Sequence, residues 1–399
     1  MGIKTKFMGK QKKIINKIKY DSGQTTPLGT KPNDECYTSM QDIINELSLW
    51  KDKFRNKNIF CPCDWDILDE EEGLNVYSIK IYFENDGIVG HTNVIQSVSY
   101  TLFDLEDNNK MQIVKIGEKE IDSFLRDRVK CNFVRTFVEN ANEWGIKSIT
   151  ASGYNPANDR GIKFQDVNFR DYDICVTNPP FSLYKEFLTK LIDSKIDFII
   201  LAPYLNRVNP SIGVPLMKRE CFLGYGRHLN LSFYNPTAKN KYKTMTVGVD
   251  WLTSYDDAQK HYDKRKMKNG FKYEAYKNDY RKMENMTMKD GTNPIRINKY
   301  TAIPDDYMGW MFCSIGVLDV LSYDEFEWYL TNAAGYYNTE NPDHNPFNHR
   351  TFDEMVMAQS YIDFSGMNQK ERRAACKATG ETGFHGLVIR RWKHEKNSK

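Results

Sequence analysis

Asp173-Ile174-Cys175-Val176-Thr177-Asn178-Pro179-Pro180-Phe181-Ser182-Leu183 is the stretch on which the fold turns, read together with the residues beyond it as far as Leu201. Asp173 to Thr177 is short, apolar and β-branched, and predicts a buried strand. Asn178 to Phe181 predicts a rigid turn, because two prolines fix their own φ angles and remove two backbone donors. Ser182 is then placed to cap a helix whose apolar face is Leu183, Phe187, Leu188, Leu191 and Ile192. Phe198-Ile199-Ile200-Leu201 predicts the next strand. Strand, helix and strand in so short a span indicate an α/β fold with a parallel sheet covered by helices.

The turn falls at the carboxyl end of a strand, where open sheets of this kind bind ligands. It presents carbonyl oxygens without amide donors, and Asn178 adds a side-chain carbonyl beside the face of Phe181. Acceptors next to an aromatic ring suit an amino group on a flat base. They hold its N–H hydrogens while the ring stacks on the base. Such an amine is a weak nucleophile, so alignment and polarisation have to supply the rate. An ordinary Asn-Pro turn is the bland alternative.

Working outward, Thr38 or Ser39 can cap a helix with Ile43, Ile44, Leu47, Trp50 and Phe54 at helical spacing, and Asn58 to Cys61 predicts a strand. Six acids crowd residues 64–72. Alternation at Tyr77, Ile79, Ile81 and Phe83 predicts hairpins, so 69–129 is expected to be an insertion. A helix through Phe133, Val134, Phe137, Val138 and Trp144 ends at Gly145, and a strand comes next over Ile146–Ala151. Three divisions are expected: a basic arm at 1–32, an α/β domain at 33–255, and a C-terminal region at 256–399.

With 399 residues, 40% hydrophobic and 27% charged, the chain has ample core for an enzyme and is not disordered. No run approaches the ~20 apolar residues of a membrane span, and the lysine-rich start is followed by no signal-peptide core. The eight cysteines are scattered, with no C-x-x-C pair, and Cys61-Pro62-Cys63 is too tight for ordinary zinc spacing. Reduced thiols, a cytoplasmic location and no metal site are expected, with Asp343, His344 and His349 read as a polar loop. A monomer is compatible with all of this.

The four segments Asp34-Glu35-Cys36-Tyr37-Thr38, Phe60-Cys61-Pro62-Cys63-Asp64, Val176 to Ser182 and Ile303-Pro304-Asp305-Asp306-Tyr307-Met308-Gly309 together resemble the EcoRI-type adenine-specific DNA methyltransferase family. The resemblance runs from about 34 to 330 and returns over Leu387 to Arg391. It implies a doubly wound, Rossmann-like methyltransferase sheet with inserted hairpins and a C-terminal DNA-recognition region. It also implies S-adenosylmethionine as cofactor and double-stranded DNA as partner, with transfer to the N6 amino group of a flipped adenine. By the same resemblance Asn178, Pro179, Pro180 and Phe181 would be catalytic, with Asn178 and the Pro179 carbonyl accepting from N6 and Phe181 stacking. Tyr37, Thr38, Cys61, Cys63, Asp64 and Asp166 would line the cofactor pocket. Each of these has a plainer role open to it: Tyr37 as a core aromatic, the two cysteines as small buried residues, Asp166 as a loop cap. The turn after the first strand contains no glycine, and the strand ending at Ser152 has no acid for a ribose. An RNA base or a glutamine amine as acceptor, or a non-catalytic nucleic-acid-binding protein on the same fold, are the alternatives.

The net charge of +3 hides strong segregation. Residues 1–19 carry +7, residues 260–282 carry +6 and residues 390–399 carry +4, so the remainder is acidic. In 260–282 the basic residues, Lys264, Arg265, Lys266 and Lys268 among them, alternate with Tyr262, Phe271, Tyr273, Tyr276 and Tyr280. Basic side chains that neutralise phosphates and rings that stack on or wedge between nucleobases make this a candidate DNA-facing segment; a solvated charged face is the alternative. Arg207 and Asn206, just past the second strand of the proline unit, are candidate DNA contacts or simple loop residues.

Overall fold

The computed structural model describes residues 37–65, 77–85, 93–103, 111–116, 118–155, 160–204, 207, 209–234, 244–264, 268–331, 346–348, 371 and 386–392. The strands of the first sheet are β1 (Tyr37–Thr38), β2 (Asn58–Cys61), β3 (Ser78–Asn85), β4 (Asn93–Phe103), β5 (Met111–Ile116) and β6 (Ser148–Ser152). After a small hairpin, β7 (Tyr154–Asn155) with β8 (Arg160–Gly161), come β9 (Ile174–Thr177), β10 (Asp197–Pro203), β11 (Phe222–Leu223), β12 (Leu229–Tyr234) and β13 (Thr244–Thr253). Their order is β1-β12-β13-β10-β9-β2-β6-β3-β4-β5, with β11 beside β13. The sheet is mixed rather than parallel throughout. Among its described strands only β6, β2, β9 and β10 run parallel, and antiparallel strands extend both sides. The hairpin strands β3 to β5 continue the central sheet.

Side chains on the central strands alternate between two apolar layers, as the two-residue period of a strand requires. Ile59, Cys61, Ile174, Val176, Ile199 and Leu201 face one layer; Phe60, Cys175, Phe198, Ile200 and Ala202 face the other. The first layer is closed by α1 (Met40–Leu47), α2 (Glu118–Arg128) and α3 (Asn132–Trp144), which supply Ile43, Leu47, Phe124, Phe133, Phe137 and Trp144. Ser39, not Thr38, caps α1, its hydroxyl accepting from Asp42 N at 3.2 Å. A 3-10 turn at Ser48–Lys53 then brings in Trp50, followed by Phe54, which packs on Phe137 and Trp144. Burial of each such side chain contributes about 1.5–3 kcal/mol.

The second layer contains α4 (Tyr184–Ser194), α5 (Pro210–Met217) and a second sheet. Ser182 does not cap α4. It is exposed within a 3-10 turn, Phe181–Leu183, closed by Leu183 N donating to Pro180 O at 3.0 Å. Beyond β13 lie α6 (Asp257–Asp263) and α7 (Tyr273–Tyr276). The second sheet comes after them, with β14 (Ile295–Ile297), β15 (Met311–Ser314), β16 (Phe326–Leu330) and β17 (Gly386–Arg391) in the order β14-β15-β17-β16. Its residues Ile295, Met311, Phe312, Leu330 and Val388 share one apolar cluster with Phe187 and Phe198.

Register shapes the carboxyl edge of the first sheet. Leu229 pairs with Val249, and Val249 pairs with Pro203, the last residue of β10. β12 continues to Tyr234 opposite Thr244. The β12–β13 pair therefore runs five residues past the end of β10, about 17 Å at strand rise. β1 adds to its outer side, Thr38 pairing with Phe233. This arm forms a wall beside the ends of the parallel strands.

Candidate active site at the carboxyl edge of the sheet

Asn178 directly succeeds β9, Pro179 is buried, and Asn178, Pro180 and Phe181 are half-buried. Phe181 meets the arm: its ring lies 6.5 Å from that of Phe233, edge to face at 81°. Phe233 pairs with Thr38 across β1 and β12, so residues from three distant parts of the chain meet beside the proline turn. Thr38 is buried, its main-chain carbonyl accepts from Asn132 Nδ2 at 2.7 Å, and its hydroxyl has no hydrogen-bond partner among the described residues.

Asn132 opens α3, and its neighbour Cys131 reaches Asp64, Sγ to Oδ1 at 3.5 Å. Asp64 is buried just beyond β2. Thr38 and Asp64 are thus each tied to the start of α3, through Asn132 and Cys131. Cys61 and Cys175 are fully buried, and burial, reinforced by the charge of Asp64, pushes both thiols well above the usual range. They are neutral packing groups. Cys63 is only half-buried against the second layer. The six described cysteines form no disulfide.

A close backbone approach within the protein occurs one strand away. Gly153, after β6, lies so near Trp65 that an added Cβ would stand 1.8 Å from the Trp65 carbonyl oxygen. Ser152 Oγ donates to Pro62 O at 3.2 Å. Segment 61–65 is thereby drawn across the end of β6, and the edge is built without a glycine in its first turn.

Other expected residues are distributed differently. Asp166 is exposed in the 3-10 turn Phe164–Asp166, beside Lys190 of α4 and outside the buried group around Thr38 and Asp64. Tyr37 pairs with Tyr234. Lys264 and Lys268 are exposed, whereas Asn206, Arg265, Lys266 and the polar loop with Asp343, His344 and His349 lie outside the described residues. Among the described residues no His/Cys/Asp/Glu group could hold a metal ion, and no helix is long and apolar enough to cross a membrane.

Arg207 is not available to DNA. Its side chain is 1% exposed and forms a two-pronged pair with Asp250, also 1% exposed, while Nη1 bonds Asp319 at 2.5 Å. Burial works against its charge, but the two carboxylates overcome that and raise its pKa. Asp250 also accepts from His228 N at 2.8 Å, and the His228 ring stacks on Tyr204 at 3.7 Å and 6°. This network joins the exit of β10, the arm and the segment before β16. Glu46 performs a similar task on the other layer. It accepts from Trp50 Nε1 at 2.9 Å, Tyr225 N at 2.9 Å and Gly226 N at 2.7 Å, fixing α1 to the turn before β12. Burial raises its carboxyl despite these donors. Phe233, Asp250 and Asp319 carried no signal in sequence, since each matters through a partner far along the chain.

The structure therefore combines a mixed α/β sheet with a stiff Asn-Pro-Pro-Phe turn at the end of a central strand. Residues 167–391 match the family described as adenine-specific methyltransferase EcoRI. The type II methyltransferase M.EcoRI of Escherichia coli is 25% identical over 313 residues, which cover 74% of this chain and 85% of that protein. The type II methyltransferase M.MgeORF184P of Mycoplasma genitalium is 25% identical over 309 residues, 74% of this chain and 82% of its own. M.MpnI of Mycoplasma pneumoniae, also named a type II methyltransferase, is 24% identical over 315 residues, 74% of this chain and 81% of its own. No solved structure matches the chain. The family match spans more than half of the sequence: the chain belongs to the EcoRI family of adenine-specific methyltransferases, enzymes that methylate adenine in DNA.

Proposed function

We propose that the chain transfers a methyl group from S-adenosylmethionine to the N6 amino group of an adenine extruded from duplex DNA, as the modifying member of a restriction–modification pair. The observation that carries this is the Asn178-Pro179-Pro180-Phe181 turn at the carboxyl end of β9, with Phe181 against the arm residue Phe233. In a paired adenine one N6 hydrogen is held by the partner base and stacking covers the faces of the ring, and extrusion costs a few kcal/mol. Phe181 recovers part of that cost by stacking on the flipped base. Asn178 Oδ1 and the Pro179 carbonyl accept the two N6 hydrogens, turning the nitrogen lone pair toward the incoming methyl group. The N6 proton leaves to solvent after transfer.

The residues at the edge fit the cofactor. A buried hydroxyl without a hydrogen-bond partner among the described residues (Thr38) and a buried carboxylate (Asp64) belong to residues tied to the start of α3, and suit the charged methionine end of S-adenosylmethionine. When bound, the cofactor supplies an electrophilic methyl group. Thr38, Asp64 and the half-buried Cys63 would hold it, and Tyr37 would contribute through β1. In this reading 33–255, including the 69–129 insertion, is the catalytic unit on a Rossmann-like sheet, and 256–399 is the target-recognition region, with exposed Lys264 and Lys268 toward DNA.

The test is methyl transfer from labelled S-adenosylmethionine to duplex DNA, RNA and protein by wild type and Asn178→Ala. Loss of a preorganised acceptor predicts a fall of about 10²–10³ in kcat, with label entering DNA as N6-methyladenine. Full activity in the variant removes the role given to Asn178, and label in RNA or protein alone removes the substrate.

A further inference from the structure

The motif Ile303-Pro304-Asp305-Asp306-Tyr307-Met308-Gly309 places two acids beside the basic segment 260–282, where they would repel a phosphate backbone. The structure shows the groups that these acids engage. Asp305 Oδ1 accepts from Asn269 N at 2.9 Å, and Oδ2 accepts from Gly270 N at 2.8 Å. Asp306 Oδ1 accepts from Tyr273 N at 2.7 Å. Asp305 N donates back to Phe271 O at 2.9 Å. Both carboxylates therefore face backbone donors of one loop, 269–273. Arg391, itself paired with Glu325, anchors the start of the motif, its Nη2 donating to Pro304 O at 3.0 Å.

The rest of the motif serves the same loop. The Tyr307 ring lies 4.3 Å from that of Tyr273, which also stacks with Tyr280 at 5.9 Å and 24°. Gly309 makes room for Tyr307, since a Cβ there would stand 2.5 Å from its hydroxyl oxygen. The loop is held from one side in this way, and Lys268 and Lys272 are exposed.

We propose that Asp305 and Asp306 are positioning residues for DNA docking, holding loop 269–273 so that Lys268 and Lys272 meet the phosphates of the substrate. This rests on the reading of the enzyme as a DNA methyltransferase with 256–399 facing DNA. The two acids differ in a testable way. Asp305 uses both oxygens as acceptors, so Asp305→Asn turns an amide against a backbone N–H. Asp306 uses one oxygen, which asparagine keeps.

The experiment uses the full chain and random-sequence duplex DNA, with affinity measured between about 50 and 200 mM salt. Binding of S-adenosylhomocysteine by calorimetry and amide hydrogen exchange are tracked alongside. Asp305→Asn and Gly309→Ala are expected to lower the salt slope by about 1 to 2, because each lost phosphate contact removes about one unit. KM for DNA rises more than kcat falls, exchange quickens at 269–273, and S-adenosylhomocysteine binding is unchanged. Asp306→Asn keeps the wild-type slope. Gly309→Ala alters no charge, so its effect separates placement of the loop from electrostatics. It also carries the test if Asp305→Asn does not fold. A wild-type slope in Asp305→Asn or Gly309→Ala, while Lys268→Ala/Lys272→Ala loses about two units, overturns the positioning role and leaves the DNA face standing. A wild-type slope in the lysine double variant overturns the DNA face itself.

Discussion

Replacing Arg207 by alanine separates two accounts of the same residue. As a phosphate contact, its loss would leave stability alone and lower the salt slope of DNA binding by about one unit. In the fold, the side chain is 1% exposed, joins Asp250 through Nε and Nη2, and reaches Asp319 through Nη1. Alanine leaves Asp250, equally buried, with the backbone N–H of His228 among its remaining donors. Removing one member of a buried pair costs about 3–5 kcal/mol. Asp319 is 26% exposed and can turn to water, which puts the expected loss toward the lower part of that range. Urea unfolding monitored by fluorescence is the assay, with Asp250→Ala and the double variant completing a cycle. The double variant should be less destabilised than the sum of the singles, since it removes both charges together. Arg207→Lys should recover only part of the loss, because an ammonium cannot make the two-pronged contact. The reasoning is refuted if Arg207→Ala unfolds at the wild-type urea concentration while its salt slope drops.

The buried groups give two further outcomes. Burial holds the Glu46 carboxyl above its ordinary 4.5, so the folded chain binds that proton more tightly than the unfolded one. The stability this contributes is fully present below 4.5 and is lost as pH rises through the folded value. Relative to Glu46→Gln, wild type should gain urea resistance as pH falls toward 4.5, and a difference that does not change with pH would count against it. Among the described cysteines, Cys63 should react first with a maleimide, since Cys61 and Cys175 are buried and their thiols are held neutral. S-adenosylhomocysteine should slow Cys63 labelling, and equal rates with and without it would place Cys63 outside the pocket.

How much could be read in advance depended on how local the cause was. The proline turn announces itself because two pyrrolidine rings fix the backbone whatever surrounds them, and α3 does so through apolar spacing that packing then used. Ser182 misled because a 3-10 turn closed by the Pro180 carbonyl delays the helix, leaving that hydroxyl in solvent. Arg207 misled because a charged residue after a strand normally faces water, and its partners Asp250 and Asp319 lie 43 and 112 residues away. The pairing of β1 with β12 spans nearly half the chain, and no periodicity encodes it. The absence of a glycine after β2 looked like a defect in the cofactor edge. What the sequence could not show is that Gly153, on the neighbouring strand, is packed against the Trp65 carbonyl and lets segment 61–65 cross the end of β6.

The place of β17 in its sheet has a consequence for how the protein is made. Gly386–Arg391 lies between β15 and β16 and is hydrogen-bonded to both. Every described strand of the first sheet is complete by Thr253, but β15 and β16 have no common neighbour among the described strands until residue 391 has left the ribosome. For that interval the nascent chain carries two open strand edges, a species that invites pairing with other chains. A message cut short after residue 331 would produce this species permanently. Loss of the last strand is therefore expected to give insoluble protein rather than an enzyme with relaxed specificity.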